Sequence, residues 1–238
     1  MWYRHTMETA FFIACLDRQE IPPEPPQCQR FRDRIDLDAS PVIDWRDECC
    51  KRGMWALVYR SLARELAAWI GDRRVLEVMA GRGWLAKALT EEGVTVIATD
   101  DNSWDDRHSK AGPVFPVAKV DALQAIVDID ADVLIMSWPP YGDEVATEAL
   151  ATWGEDRPVI YIGEERGGCN APDSFWQHWR DDPTAPKIPL AQWDGLHDVV
   201  LIGHYVSEPH HVCPKRGGWL YDDDGWCSDC ARAEYNDD

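Results

Sequence analysis

Between residues 47 and 71 the apolar positions Trp55, Val58, Leu62, Leu66 and Ile70 recur at steps of three and four, and Gly71 supplies a stop. This spacing predicts one amphipathic helix packed on a core. Beyond it the period changes. "VLEVMA", "VTVIATD", "FPVAKV", "DVLIMSW" and "PVIYIGE" read as short buried strands, while "WLAKALTEE", "DALQAIV", "DEVATEALATW" and "PDSFWQHWR" between and after them read as helices. Strands and helices of these lengths in alternation imply right-handed crossovers and an α/β fold whose doubly wound, mostly parallel sheet is covered on both faces. "KIPLAQW" and "DVVLIGHYV" are two further strand candidates with a short loop between them, placed to close the sheet with an antiparallel edge.

The two ends of the chain depart from this alternation. Residues 1–20 suit a short helix, and "IPPEPPQ" (21–27) must be an extended connector because its prolines remove backbone donors. The reading is therefore an amino-terminal extension over 1–46, a main domain over 47–206, and a separate module over 207–238.

A chain of 238 residues, 45% hydrophobic and 28% charged, has room for one α/β domain with a small appendage. No apolar run approaches the roughly 20 residues that span a bilayer, so an intracellular, cytoplasmic protein with no membrane partner is expected. The formal charge of −19 excludes a generally basic surface for nucleic acid or anionic lipid. The acids are mostly Asp, and only six bases are Lys, a bias suited to concentrated salt. There the screening length of about 3 Å at 1 M weakens acidity as a veto on a polyanionic substrate. With no secretory signal, the eight cysteines are expected to be reduced thiols.

Candidate chemistry gathers where the strands end. The first strand runs into Ala80, Gly81 and Gly83 and then directly into a helix. Bare backbone at such a turn lets peptide N–H groups approach an anionic ligand at the positive end of the helix. With Glu77 before it, the turn resembles motif I of the class I S-adenosylmethionine-dependent methyltransferases, which have a Rossmann-like fold; Met79 stands where that family has its first glycine. The resemblance covers roughly residues 50–206. It implies that Asp100, ending the second strand, accepts from the two ribose hydroxyls of S-adenosylmethionine, with Asp101 as the nearby alternative. Asp121 and the Ala122 amide, after the third strand, would meet the adenine. A dinucleotide oxidoreductase fits less well, since no G-x-G-x-x-G follows the first strand.

The fourth strand ends in "SWPPYG". P-P-Y there resembles motif IV of the amino-group methyltransferases, which act on nitrogen of planar groups such as nucleobases. The resemblance implies that the Pro139 carbonyl, Pro140 and the Tyr141 ring orient the acceptor. Trp138 holds the place of an acceptor residue, and indole is only a donor. Asp143, or Glu164 at the end of the fifth strand, is the expected substitute, with Glu164 as base or substrate anchor. His197 reads as an ordinary loop histidine. Because Met79 and Trp138 depart from the family pattern, a cofactor-binding scaffold acting through protein partners is the second reading.

The carboxyl-terminal module holds His210, Cys213, Cys227 and Cys230, an H-x2-C and a C-x2-C separated by 13 residues. Two chelating pairs of this kind can close a tetrahedron around a structural Zn²⁺, with His211 competing with His210 for one place.

Overall fold

The computed structural model describes residues 2–25, 41–103, 112–193 and 195–209. The zinc-ligand candidates His210, His211, Cys213, Cys227 and Cys230 lie outside these residues. Among the described residues no group of three or more His, Cys, Asp or Glu could hold a metal, and no helix is long and apolar enough to cross a membrane.

Three helices, α1 (Trp2–Asp17), α2 (Pro41–Cys50) and α3 (Arg60–Ile70), precede an alternating series. It runs β1 (Val75–Val78), α4 (Trp84–Glu91), β2 (Val96–Asp100), β3 (Val117–Lys119), α5 (Ala122–Asp128), β4 (Val133–Ser137), α6 (Val145–Trp153), β5 (Val159–Glu164) and α7 (Asp173–Gln177). Two strands close it, β6 (Trp179–Asp181) and β7 (Asp198–Tyr205). The seven strands form one sheet in the order β3-β2-β1-β4-β5-β7-β6. β1 to β5 pair in parallel, and β7 runs antiparallel to both β5 and β6.

The pleat divides the buried residues between two faces, as a doubly covered sheet requires. Val75, Val133, Ile135, Ile160 and Ile162 join the side chains of α1 to α4. Leu76, Val78, Leu134, Met136, Val159 and Tyr161 meet α5, α6 and α7. Phe12, Leu16 and Ile21 are buried in the first of these cores, so the amino-terminal residues pack on the same sheet face as α3 and α4.

Two expectations about secondary structure are corrected. The single helix over 47–71 is two helices, α2 and α3, separated by residues 51–59. Gly53 has φ +70°, and a Cβ there would lie 2.4 Å from Cδ of Arg82, so the chain breaks and turns where Arg82 packs. "KIPLAQW" is not a strand. Its Ile188 and Trp193 are buried against the α1–α4 face, and the edge beside β7 is taken instead by β6, from the end of the segment read as a helix.

Candidate functional site

From β1 the chain steps to β2 and β3 on one side and then to β4 on the other, so the sheet order reverses between β1 and β4. Ligands of such sheets gather at the carboxyl ends of the strands at this reversal. A cavity of about 730 Å³ lies there, within the range of roughly 300–1,000 Å³ usual for small-molecule sites. Glu77, Ala80 and Gly81 after β1, Asp100 after β2, Asp121 and Ala122 after β3, and Pro139, Pro140 and Tyr141 after β4 all line it. Gly83 and Glu164 do not.

The turn after β1 shows why. Gly81 is exposed at φ +54°, and a Cβ added to it would meet nothing within 4 Å. Its N–H donates to Oδ2 of Asp100 at 2.8 Å, while Oδ1 of Asp100 accepts from the Asn102 N–H at 2.7 Å. The carboxylate thus ties the β1 turn to the end of β2. Gly83, at φ +79°, is buried: a Cβ would approach both Cβ of Phe115 and Cγ2 of Val117 to 2.9 Å. Its bareness serves close packing at the start of α4. That helix has no side-chain cap at its N-cap, Gly83, although its Ala86 amide, in the first turn, is bonded to Glu77. Asp121 caps α5, its Oδ1 accepting from the Leu123 and Gln124 amides at 2.9 and 3.2 Å.

Glu77 is 1% exposed, on the strand face covered by α4. Burial pushes its carboxyl up to about 8, against the lowering effect of the Ala86 amide and with a further push from Asp100. Its Oε2 has no hydrogen-bond partner within the protein. A buried, unsatisfied carboxylate oxygen on a cavity wall calls for a donor, most favourably a cation.

At the other end, Pro139 is buried and its carbonyl accepts from Nδ2 of Asn170 at 3.4 Å. Tyr141, 69% exposed, stands at the mouth. Trp138 adopts φ +54°, as does Met79 at the end of the adjacent strand. Left-handed backbone at a non-glycine residue costs roughly 1–2 kcal/mol and concentrates at functional sites. The Trp138 indole stacks on Trp55 with centroids 6.1 Å apart and planes at 26°, and both rings line the cavity. Arg46 stands over Trp138 at 5.1 Å, with Trp55 and Trp193 at 6.0 and 5.9 Å. The Trp138 Nε1–H donates to Oδ2 of Asp198 at 2.9 Å.

Asp198 is 1% exposed, and its Oδ1 lacks a partner. Burial raises its carboxyl to about 6, opposed first by the Trp138 hydrogen bond. Trp138→Phe should therefore cost about 1–3 kcal/mol of stability, the usual penalty for stranding a buried acceptor. Because the deprotonated carboxylate needs the bond most, the loss should be larger at pH 8 than at pH 5 in urea unfolding. An equal loss at both would mean the bond is not made.

Glu164 has a different place from the one expected. Its Oε2 accepts from the Cys169 amide at 2.9 Å and its Oε1 from the His197 amide at 3.1 Å. Burial would raise its pKa, but the Cys169 thiol and amide and the His197 amide outweigh it and hold the carboxyl below the usual range. Oε2 fixes the 165–170 loop, which brings Cys169 and Asn170 to the cavity, and Oε1 holds the chain ahead of β7. Asp143 does line it and accepts from the Val145 amide at 3.0 Å at the start of α6. The His197 side chain is 83% exposed. Trp55, which the sequence marks only as an apolar position, and Asn170 and Asp198 are not among the site candidates read from sequence, and no local motif marks them as such.

No protein-family model matches the chain, and no curated protein sequence is similar to it. Solved structures resemble it distantly. A SAM-dependent methyltransferase from Archaeoglobus fulgidus is 15% identical over 60% of this chain and 93% of its own, with a TM-score of 0.38. A didemethyltoxoflavin methyltransferase from Burkholderia thailandensis, with didemethyltoxoflavin and S-adenosylhomocysteine bound, is 16% identical over 78% of this chain and all (100%) of its own, with a TM-score of 0.41. A Thermoplasma acidophilum protein whose name states no activity is 16% identical over 84% and 98% of the two chains, with a TM-score of 0.40. At these identities and scores the likenesses say nothing of this chain's own activity.

Proposed function

We propose that the chain is an S-adenosylmethionine-dependent methyltransferase acting on a nitrogen of a planar acceptor. The observation that carries this reading is one cavity, at the reversal point of the sheet, that collects Glu77, Asp100 and Asp121 from three successive strand ends and P-P-Y from the next.

The residues present fit the cofactor. The orphaned Oε2 of Glu77 suits an ammonium group, the uncapped start of α4 beside Ala80 and Gly81 suits a carboxylate, and Asp100 retains lone pairs for hydroxyl donors. Asp121 and Ala122 would border the adenine. When bound, S-adenosylmethionine supplies an electrophilic methyl group. The protein's own part is positional: a rigid Pro139–Pro140 turn and the aromatic wall hold the acceptor in one pose, and placement of this kind supplies most of the acceleration in a displacement that needs no covalent help. Glu164 acts through the loop it fixes. The methyltransferase unit spans 47–206 in this reading, and His210, Cys213, Cys227 and Cys230 would hold a structural Zn²⁺ in a module of their own.

Calorimetry tests it. S-adenosylmethionine should bind with a Kd in the range of about 1 μM to 1 mM typical of enzyme substrates. Tritium from its methyl group should then appear in one of separate protein, nucleic-acid or metabolite fractions. Absence of binding removes the reading, and binding without transfer to any fraction leaves a cofactor-binding scaffold.

A further inference from the structure

The acceptor end of the cavity is aromatic, and the charged side chains lining the cavity as a whole are mostly carboxylates. Trp55 and Trp138 present stacked rings, and the one N–H of Trp138 is already given to Asp198. What this indole has left for a ligand is its carbon surface, which suits a flat ring.

The charged side chains on the cavity wall are Glu77, Asp100, Asp101, Asp121 and Asp143 against Arg82 alone, among the described residues. Arg82 is buried, its Nε donating to the Gly112 carbonyl and its Nη1 to the Arg52 carbonyl at 2.6 Å. Behind the tryptophan wall the charge of Arg46 acts on the Asp198 carboxyl, favouring its ionised form. The segment 104–111, outside the described residues, contains Asp105, Asp106, Arg107 and Lys110, whose formal charges cancel.

Helix amino termini, the other common seat for phosphate, are also taken. Asp121 occupies the start of α5, and Asp143 that of α6. The start of α4, which also borders the cavity and has no side-chain cap, is assigned above to the cofactor. Among the described residues, a phosphate in this cavity would be desolvated beside carboxylates, and the lining cation Arg82 already donates to the Gly112 and Arg52 carbonyls.

We propose that this site, read as a methyltransferase cavity, selects a planar aromatic amine that is neutral or cationic and carries no phosphate, so that free heterocycles are taken and nucleotides and polynucleotides are refused. The inference rests on the methyltransferase reading for which end of the cavity the acceptor uses.

The test is calorimetric titration of the full chain saturated with S-adenosylhomocysteine. The probes are adenine and cytosine, each also as nucleoside and nucleoside monophosphate, together with the planar cation proflavine. At least one unphosphorylated ring should bind, and its binding should be lost in Trp55→Ala. Phosphorylation should weaken binding by at least about tenfold at low salt, and the gap should narrow at about 1 M salt as the carboxylates are screened. A monophosphate that binds as well as its nucleoside, or ring binding indifferent to Trp55→Ala, overturns the proposal. If S-adenosylhomocysteine binds and no ring does, the acceptor class is wrong while the methyltransferase reading stands. If S-adenosylhomocysteine itself fails to bind, the methyltransferase reading falls and takes this proposal with it.

Discussion

Asp100→Ala should weaken S-adenosylmethionine binding by at least about 100-fold while the protein remains folded, because hydrogen bonds to a charged acceptor are worth roughly 1.5–3 kcal/mol each. Its two oxygens hold the Gly81 and Asn102 amides, so the substitution removes both the ligand's acceptor and the tie that shapes the turn. Gly81 and Asn102 are exposed, and water can take over their N–H groups. Thermal stability should accordingly fall only a little, since a typical net hydrogen bond contributes about 1 kcal/mol. Calorimetry and a melting curve separate the two effects. Undiminished affinity in the alanine variant would place the nucleoside elsewhere and remove the basis for the assigned site.

Glu77→Gln should flatten the pH dependence of stability between pH 6 and 8 in the ligand-free protein. The native carboxyl sits at about 8 against an ordinary 4.5, so the folded state holds its proton more tightly than the unfolded chain. A group raised in this way contributes stability that is complete below its ordinary value and disappears as pH rises through its folded value. The wild type should lose up to about 1.4 kcal/mol per pH unit across this window. Asp198, titrating near 6, adds the same sign of dependence at lower pH and through the first part of this window, so the interval from 7 to 8 reads Glu77 most directly. Urea unfolding at several pH values checks this; an unchanged slope in the glutamine variant refutes it. A ligand ammonium would favour the ionised carboxylate, so cofactor binding near pH 7 should also release a proton. Titrations in buffers of different ionisation enthalpy would detect that release, and the variant should lose it together with affinity.

Much of the fold is legible in the chain because β1, β4 and β5 are buried on both faces and are written as short, mostly apolar runs, with Glu77 the one charge inside β1. The steps of three and four through Trp55 and Val58 misled because residues 51–59 turn at Gly53 without being helical: Val58 packs into the core, while Trp55 is half-buried on the cavity wall. "KIPLAQW" has a strand's composition, yet its Trp193 reaches across the chain to donate to the Trp55 carbonyl at 3.1 Å. Asp100 and Asp121 could be found because each stands at a strand's end, where direction along the chain and position in the sheet coincide. Trp55, Asn170 and Asp198 could not. They meet through long-range contacts such as Nε1 of Trp138 to Asp198, sixty positions apart, and only the folded sheet brings them together.

That wall of the cavity is also assembled late in the chain. Trp138 is anchored by a residue of the last strand, the Trp55 carbonyl by Trp193, and the Ala191 amide by the Tyr59 hydroxyl. While the ribosome is still adding the residues before 198, the nascent chain carries its glycine turn and its aspartates but has no finished acceptor wall. In the methyltransferase reading, competence to handle a substrate therefore arrives with β7, the last of the described strands, and a polypeptide released before it would be left with only half of the pocket.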